Sequence, residues 1–314
     1  MNRCLYCYQL LNKKETDFHS ACSRKFFNKS VPPELLYNEM QMEDLAQKVI
    51  KSHKTVTGVQ PKLSLDITKS KNSEGKQRFT IVGLWGSYIL KPPTAKFPQL
   101  PEIEDLTMHL ANIAKIKVVP HSLIKLQSGN LAYITKRIDR SKKGKLPMED
   151  MCQITERLTE HKYQGSYEQI AKAIKNFSTN PGLDVVNFFE QVLFSFLTGN
   201  SDMHLKNFSL INNDIVGNTL SPAYDMVATQ LVMPEDKEDL ALTLNGKKRK
   251  LKRDDFNIAF SNSNLETKQI ENIFKKMESV KQNWKEFIDI SFISDELKTA
   301  YKKLIEDRFE RLNN

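Results

Sequence analysis

The apolar run VVNFFEQVLFSFL, Val185 to Leu197, is followed almost at once by the polar segment GNSDMHLKNFSL, Gly199 to Leu210. A run of that length and composition reads as a buried helix, and FSLI from Phe208 reads as a short buried strand. Asp202 and, five residues on, Asn207 therefore lie on a loop between two rigid elements, where reactive groups are commonly displayed. Asp and Asn also form turns at helix ends, so this pair needs a wider constellation to carry meaning.

A wider constellation exists. A second aspartate, Asp225, follows in SPAYDMVAT. In kinase-type phosphoryl transfer one aspartate orients and accepts the proton of the substrate hydroxyl. An asparagine five residues later and a further aspartate hold Mg²⁺ against the phosphates. Asp202, Asn207 and Asp225 stand in that order. Upstream, GSYILKPP puts Lys91 at the end of an apolar strand, where a kinase keeps the lysine that neutralises ATP phosphates. EIEDLTMHLANIA has Leu106, Leu110 and Ile113 at helical spacing, with Glu102 and Glu104 near its start. Either glutamate could pair with Lys91.

Six segments in order, TVTGVQPKLSL, YILKPP, YITKRIDR, MEDMCQI, NSDMHLKNF and SPAYDMV, resemble the HipA family of Ser/Thr kinase toxins, most of all its short HipT branch from three-part toxin systems. The resemblance runs from about Thr55 to beyond Asp225. It implies an α+β, two-lobed HipA-like protein kinase fold, with a smaller mixed strand and helix N-terminal lobe and a mostly helical C-terminal lobe. It also implies transfer of the ATP γ-phosphate, with Mg²⁺, to a protein target such as an aminoacyl-tRNA synthetase, arresting translation and growth. By matching position Asp202 is the catalytic base, Asn207 and Asp225 are the metal ligands, Lys91 is the ATP lysine, and His204 and Tyr224 neighbour the nucleotide. Lys136 and Ile138 fall at the hinge that meets adenine, with Lys136 replacing the family's acidic hinge residue. Thr57, Gly58 and Val59 fall on the loop over the phosphates, and Thr55 and Thr57 occupy the places of that loop's autophosphorylated hydroxyls. Read from the residues alone, Gly58 permits a close backbone approach, and β-branched Thr55 and Thr57 equally suit an extended strand. The implied partners are a small HipS-like protein and a HipB-like DNA-binding antitoxin, with DNA reached only through the latter.

The composition, 39% hydrophobic and 27% charged over 314 residues, suits a compact enzyme of one two-lobed domain or two small ones. No long apolar run suggests a membrane span, and MNRCLYCYQLLNKKETDF lacks the apolar core of a secretory signal, so a cytoplasmic location is expected. The net charge of +9 is scattered. Its one dense run, GKKRKLKR from Gly246, follows Asn245 in a hairpin-turn signature and reads as a solvated turn ahead of a helix starting at Asp254. No reading helix for DNA accompanies it. A DNA-associated co-regulator is thereby disfavoured, and a catalytically silent scaffold would have no need of Lys91, Asp202, Asn207 and Asp225 together.

Three segments follow from the pattern: a short Cys/His element over 1–30, an ATP-binding lobe over 31–140 and a helical catalytic lobe over 141–314. VPPELLY from Val31 marks a connector, SKNSEGK from Ser70 a hairpin, and RSKKGKLP from Arg140 the polar break between lobes. LETKQIENIFKKMESVKQNW and ISDELKTAYKKLIEDRFERL are amphipathic helices.

The first segment holds Cys4, Cys7, His19 and Cys22. A CxxC followed by HxxC supplies three thiolates and an imidazole, a set that suits a closed tetrahedral Zn²⁺ site. The same cysteines could instead be reduced thiols packing as small apolar side chains. Cys152, in MEDMCQI, reads as a buried structural residue.

Overall fold

A computed structural model of the chain describes residues 2–42, 44–45, 62–69, 77–82, 86–141 and 144–313. The chain divides into two compact units. The first comprises Met1–Asp105, Val119–Ile138 and Ile290–Phe292, and the second Leu106–Val118, Asp139–Asp289 and Ile293–Asn314.

In the first unit a short helix, α1 (Ser20–Phe27), precedes strands β1 (Leu63–Lys69), β2 (Gln77–Ile81) and β3 (Tyr88–Lys91). Helix α2 (Leu100–Ile113), β4 (His121–Lys125) and β5 (Leu131–Lys136) follow. The five strands form one antiparallel sheet in the order β2-β1-β3-β5-β4. Strand character comes from alternation: Leu63 and Leu65 are buried and Ser64 and Asp66 less so, while Tyr88 and Leu90 bracket Ile89 in the same way. Phe26 and Phe27 of α1 pack edge-on to Tyr88 and Phe79 respectively, which gives this small unit an aromatic core. Lys69 pairs with Gln77, while SKNSEGK, the expected hairpin turn, lies outside the described residues. In α2, Ile103, Leu106 and Leu110 are fully buried at helical spacing. Its first residues to Asp105 belong to the first unit and the remainder to the second.

After its 106–118 stretch the second unit continues with the paired short strands β6 (Arg140–Ser141) and β7 (Gly144–Lys145), followed by β8 (Met148–Asp150) and α3 (Met151–Ile154). Arg140 pairs with Lys145 and Ser141 with Gly144 inside this unit, shortly after Ile138, where the 119–138 stretch of the first unit ends. Asp150 caps α3 through the backbone N–H of Gln153, and Cys152 is buried, as expected. Then come α4 (Tyr167–Phe177), α5 (Pro181–Leu197), β9 (Ser209–Asn213), β10 (Gly217–Leu220), α6 (Thr229–Val232), α7 (Arg253–Asn262), α8 (Thr267–Asp289) and α9 (Asp295–Asn313). The expected helical character holds, with a three-stranded sheet, β10-β9-β8, set among the helices.

Trp284 of α8 is fully buried, meets Phe194 of α5 edge-on and donates its indole N–H to the Leu110 carbonyl, 2.9 Å away. Arg308 of α9 forms a buried ion pair with Asp239, which Arg311 also reaches at 2.8 Å. Asn245 and Gly246 both have positive φ, 49° and 74°, as a two-residue hairpin turn requires. Lys247 pairs with Asp255 and Lys248 with Glu238, so part of the basic run is neutralised by its own chain. Among the described residues no helix is long and apolar enough to cross a membrane.

Candidate active site

The acid-bearing loop is set by the way α5 ends. Thr198 closes the helix, Gly199 turns left-handed at φ 67°, its N–H reaches the Phe196 carbonyl at 3.3 Å, and the Asn200 N–H reaches the Ser195 carbonyl at 2.8 Å. This paired arrangement is a Schellman motif, and glycine is the residue that enters the left-handed region without steric cost. A Cβ on Gly199 would meet Leu304 Cδ2 at 2.5 Å, so the position is constrained twice over.

From that turn the loop is held by its own polar groups. The Asn200 side-chain oxygen accepts from the Asp202 N–H at 3.2 Å, and Ser201 bonds to Thr229 and Asp236. The Asp202 carbonyl then accepts from the His204 N–H at 2.8 Å and from Asn207 Nδ2 at 2.9 Å. Asp202 and Asn207 are thus joined by a direct hydrogen bond through a short 3-10 turn, Leu205–Asn207. Because Nδ2 of Asn207 is committed to a carbonyl, its oxygen is the atom left to meet a cation. Tyr167, buried, donates to the Met203 carbonyl at 3.0 Å, and Tyr224 donates to the Lys206 carbonyl at 3.0 Å and contacts Ser209 Oγ at 2.5 Å. Tyr224 therefore pins the loop's exit, and burial raises its phenol pKa.

His204 is buried, and its Nδ1 has no hydrogen-bond partner among the described residues. Burial depresses its pKa, while the charges of Asp202 and Asp225 act in the opposite sense, which puts both carboxylates in electrostatic range of one imidazole. Asp225 itself lies at φ 60°, a region costly for a side chain other than glycine. Bonds on either side enforce it: the Ala223 N–H reaches the Lys117 carbonyl at 2.8 Å, and the Ala228 N–H reaches Thr107 Oγ1 at 3.3 Å. Backbone strain sustained by its surroundings is a frequent feature of functional loops.

One residue of this site escapes sequence reasoning. Tyr163 donates its phenol to Asp202 Oδ1 at 2.5 Å and meets the His204 ring edge-on at 4.9 Å. Burial and the neighbouring Asp202 charge both raise the Tyr163 pKa, so the phenol stays a donor. It lies 39 residues before Asp202, and only the polar, aromatic character of HKYQG marks the segment.

The first unit carries the lysine. Lys91 ends β3, opposite Tyr133 of β5, and its ammonium lies 5.4 Å from that ring's centre. Its Nζ is 2.5 Å from Glu104 Oε1, and both side chains are almost fully buried. The choice between Glu102 and Glu104 is thereby made. Glu102 is the one whose carboxyl is pushed up to about 7, chiefly by burial with Asp105 adding repulsion. At the end of β5 the Lys136 N–H reaches the Pro120 carbonyl at 2.9 Å, and its ammonium sits over the Phe26 ring. Burial lowers the Lys136 pKa. Ile138, half-buried, is the last residue of this stretch of the unit. Thr55, Thr57, Gly58 and Val59 lie outside the described residues. Cys4, Cys7, His19 and Cys22 are brought together, with one potential ligand atom from each within 4.8 Å of all the others.

Residues 54–284 match the family described as the HipA-like C-terminal domain. The chain belongs to that family. All four residues of the kinase-like set, Lys91, Asp202, Asn207 and Asp225, fall within the match. Among relatives, a putative kinase, Y4dM, of Sinorhizobium fredii is 33% identical over 214 residues, 64% of this chain and 51% of the relative. A putative kinase of Haemophilus influenzae is 28% identical over an alignment of 346 residues that covers 97% of each chain. The chain thus spans about half of the first relative and nearly all of the second. Of solved structures, the HipA of Shewanella oneidensis, in complex with HipB and operator DNA, superposes with a TM-score of 0.67 at 20% identity, covering 96% of this chain and 80% of that one. The proinflammatory kinase CtkA of Helicobacter pylori gives 0.53 at 14% identity, covering 80% and 93%. The HipA-like α+β kinase fold is therefore established for this chain.

Proposed function

We propose that this HipA-like chain is an ATP-dependent Ser/Thr protein kinase acting as the toxin of a toxin-antitoxin system. The observation that carries the reading is the hydrogen-bonded loop from Gly199 to Asn207, which holds Asp202 and Asn207 in fixed relation, their order matching the base and metal ligand of phosphoryl transfer. Asp202 is the base that orients the substrate hydroxyl and receives its proton. Tyr163, bonded to Asp202 Oδ1, fixes that carboxylate's rotamer and occupies one of its acceptor positions before substrate arrives. Asn207 Oδ1 and the Asp225 carboxylate are hard oxygen donors of the type Mg²⁺ takes. When bound, Mg²⁺ would neutralise charge on the ATP phosphates. Lys91, oriented by Glu104, offers a fixed positive charge to those phosphates. By their positions in the family pattern, His204, Tyr224, Lys136, Ile138, Thr57, Gly58 and Val59 are the residues assigned to the nucleotide.

In the finer reading the chain is of the HipT branch and works in the cytoplasm. It phosphorylates a protein, an aminoacyl-tRNA synthetase being the favoured class, and its own Thr55 or Thr57. Its partners are a small HipS-like protein and a HipB-like antitoxin that carries the contact with DNA. The Shewanella HipA complex with HipB and operator DNA supports the antitoxin assignment.

The test is incubation of the full chain with labelled ATP, Mg²⁺ and cell lysate, beside Asp202→Asn and Asp225→Asn. Loss of general-base action alone predicts a fall of at least about 10²-fold in transfer, with the fold intact. Mass spectrometry of the same samples should find phosphate on Thr55 or Thr57 in the active protein and not in Asp202→Asn. Transfer that persists in both folded variants would sink the kinase reading and leave a silent scaffold.

A further inference from the structure

The Cys/His element at the start of the chain has the construction of a metal centre. Arg3 and Leu10 pair as an antiparallel bridge, and between them the Tyr8 N–H reaches the Cys4 carbonyl while the Cys4 N–H reaches the Gln9 carbonyl, each at 2.9 Å. Tyr8, directly after Cys7, takes the left-handed conformation at φ 63°. This tight turn directs Cys4 and Cys7 to one side. The second pair comes from the start of α1, where His19 is the N-cap residue and Cys22 lies in the first turn.

The imidazole nitrogen sits at the spacing from two of the sulfurs that a tetrahedral ion imposes. Bonds of about 2.3 Å to sulfur and 2.0 Å to nitrogen put sulfur and nitrogen about 3.5 Å apart. His19 Nδ1 lies 3.4 Å from Cys7 Sγ and 3.7 Å from Cys22 Sγ, and all four ligand atoms are within 4.8 Å of one another. The outer contacts agree as well. His19 Nε2 is 3.0 Å from the Leu10 carbonyl, to which it can only donate, so Nδ1 keeps its lone pair and faces the sulfurs. Cys4 Sγ accepts the His19 N–H at 3.5 Å. The four cysteines of the chain are all free, so proximity here has not produced a disulfide.

We infer that Cys4, Cys7, His19 through Nδ1, and Cys22 bind one Zn²⁺ in a closed structural site. Three soft thiolates and one imidazole with no carboxylate select zinc over magnesium or calcium. The site anchors an element too small to fold on its own apolar contacts. The Leu5 carbonyl accepts from the Leu123 N–H and from Ser122 Oγ of β4, and Tyr8 donates to Asp105 Oδ2 at 2.8 Å. The other Asp105 oxygen is bonded to His121 at 2.7 Å, and the next residue back in the sequence is Glu104, the partner of Lys91. The metal therefore stabilises the support on which the lysine pair is built.

The full chain, purified under reducing conditions without added metal or chelator, should contain about one equivalent of zinc. Replacement by Co²⁺ should give the sulfur-to-cobalt charge-transfer bands and strong visible absorption of a tetrahedral thiolate site. Cys4→Ser and Cys22→Ser should each lose most of the metal. Asp202→Asn should keep it, which separates this inference from the kinase reading. Should the serine variants fail to fold, the zinc content and cobalt spectrum of the unaltered chain decide alone. A wild-type protein that is metal-free, takes up no cobalt, or joins two of Cys4, Cys7 and Cys22 in a disulfide would overturn the assignment.

Discussion

Lys91 and Glu104 offer the sharpest quantitative test of how the first unit is built. Their charged atoms are 2.5 Å apart, with side-chain exposures of 7% and 2%. At that distance and an effective dielectric of about 20 the attraction is roughly 6–7 kcal/mol, which offsets the cost of burying both ions. Removing one partner leaves the other charge buried, and comparable pairs lose about 3–5 kcal/mol on such truncation. Lys91→Met and Glu104→Leu should each destabilise the chain by that order, on the order of a 10 °C fall in melting temperature. The double variant removes both charges and keeps apolar volume, so it should be far more stable than the sum of the single effects, within about 2 kcal/mol of wild type. Thermal and urea unfolding followed by circular dichroism would measure all four corners of the cycle. Single costs below about 1 kcal/mol, or a double variant equal to the sum of the singles, would mean the charges are screened by water and the pair does not hold this site.

Two further outcomes follow from local geometry. Gly199→Ala should cost about 1–2 kcal/mol for the left-handed backbone and, if Leu304 cannot rotate away, about 1–3 kcal/mol more for overpacking. Gly246→Ala, at φ 74° with nothing within 4 Å of the added carbon, should show the backbone part alone, and equal costs at the two sites in urea melts would refute the steric argument. Glu102 has a folded-state pKa of about 7 against an ordinary 4.5, so the folded chain binds the proton more tightly. Its contribution to stability is complete below pH 4.5 and is lost as pH rises through 7. Glu102→Gln should flatten that part of the stability profile and raise the melting temperature at pH 8 relative to wild type; an unchanged slope between pH 4.5 and 8 would show that burial does not control this carboxyl.

Local chemistry made much of this protein legible in its sequence. The apolar run before Gly199 read as a buried helix, the order of Lys91, Asp202, Asn207 and Asp225 pointed to phosphoryl transfer, and six ordered segments carried the family resemblance. The Asn-Gly turn ahead of the basic run and the CxxC and HxxC pairs were equally local, because turns and close-spaced ligands depend on a few covalently linked residues. Other features needed the folded chain. Glu102 and Glu104 are equivalent in a helix pattern, and only the placement of α2 beside β3 buries Glu104 against Lys91 and leaves Glu102 half-buried near Asp105. The membership of 106–118 and 290–292 in units foreign to their sequence neighbours has no compositional mark, since a chain can cross between units within a continuous helix. Tyr163 reaches Asp202 across 39 residues, and His19 turns Nδ1 to the sulfurs because Leu10 takes its other nitrogen. A sequence records which groups are available at short range. Which of two like groups is buried, and which distant hydroxyl meets a carboxylate, is decided by packing between elements far apart in the chain.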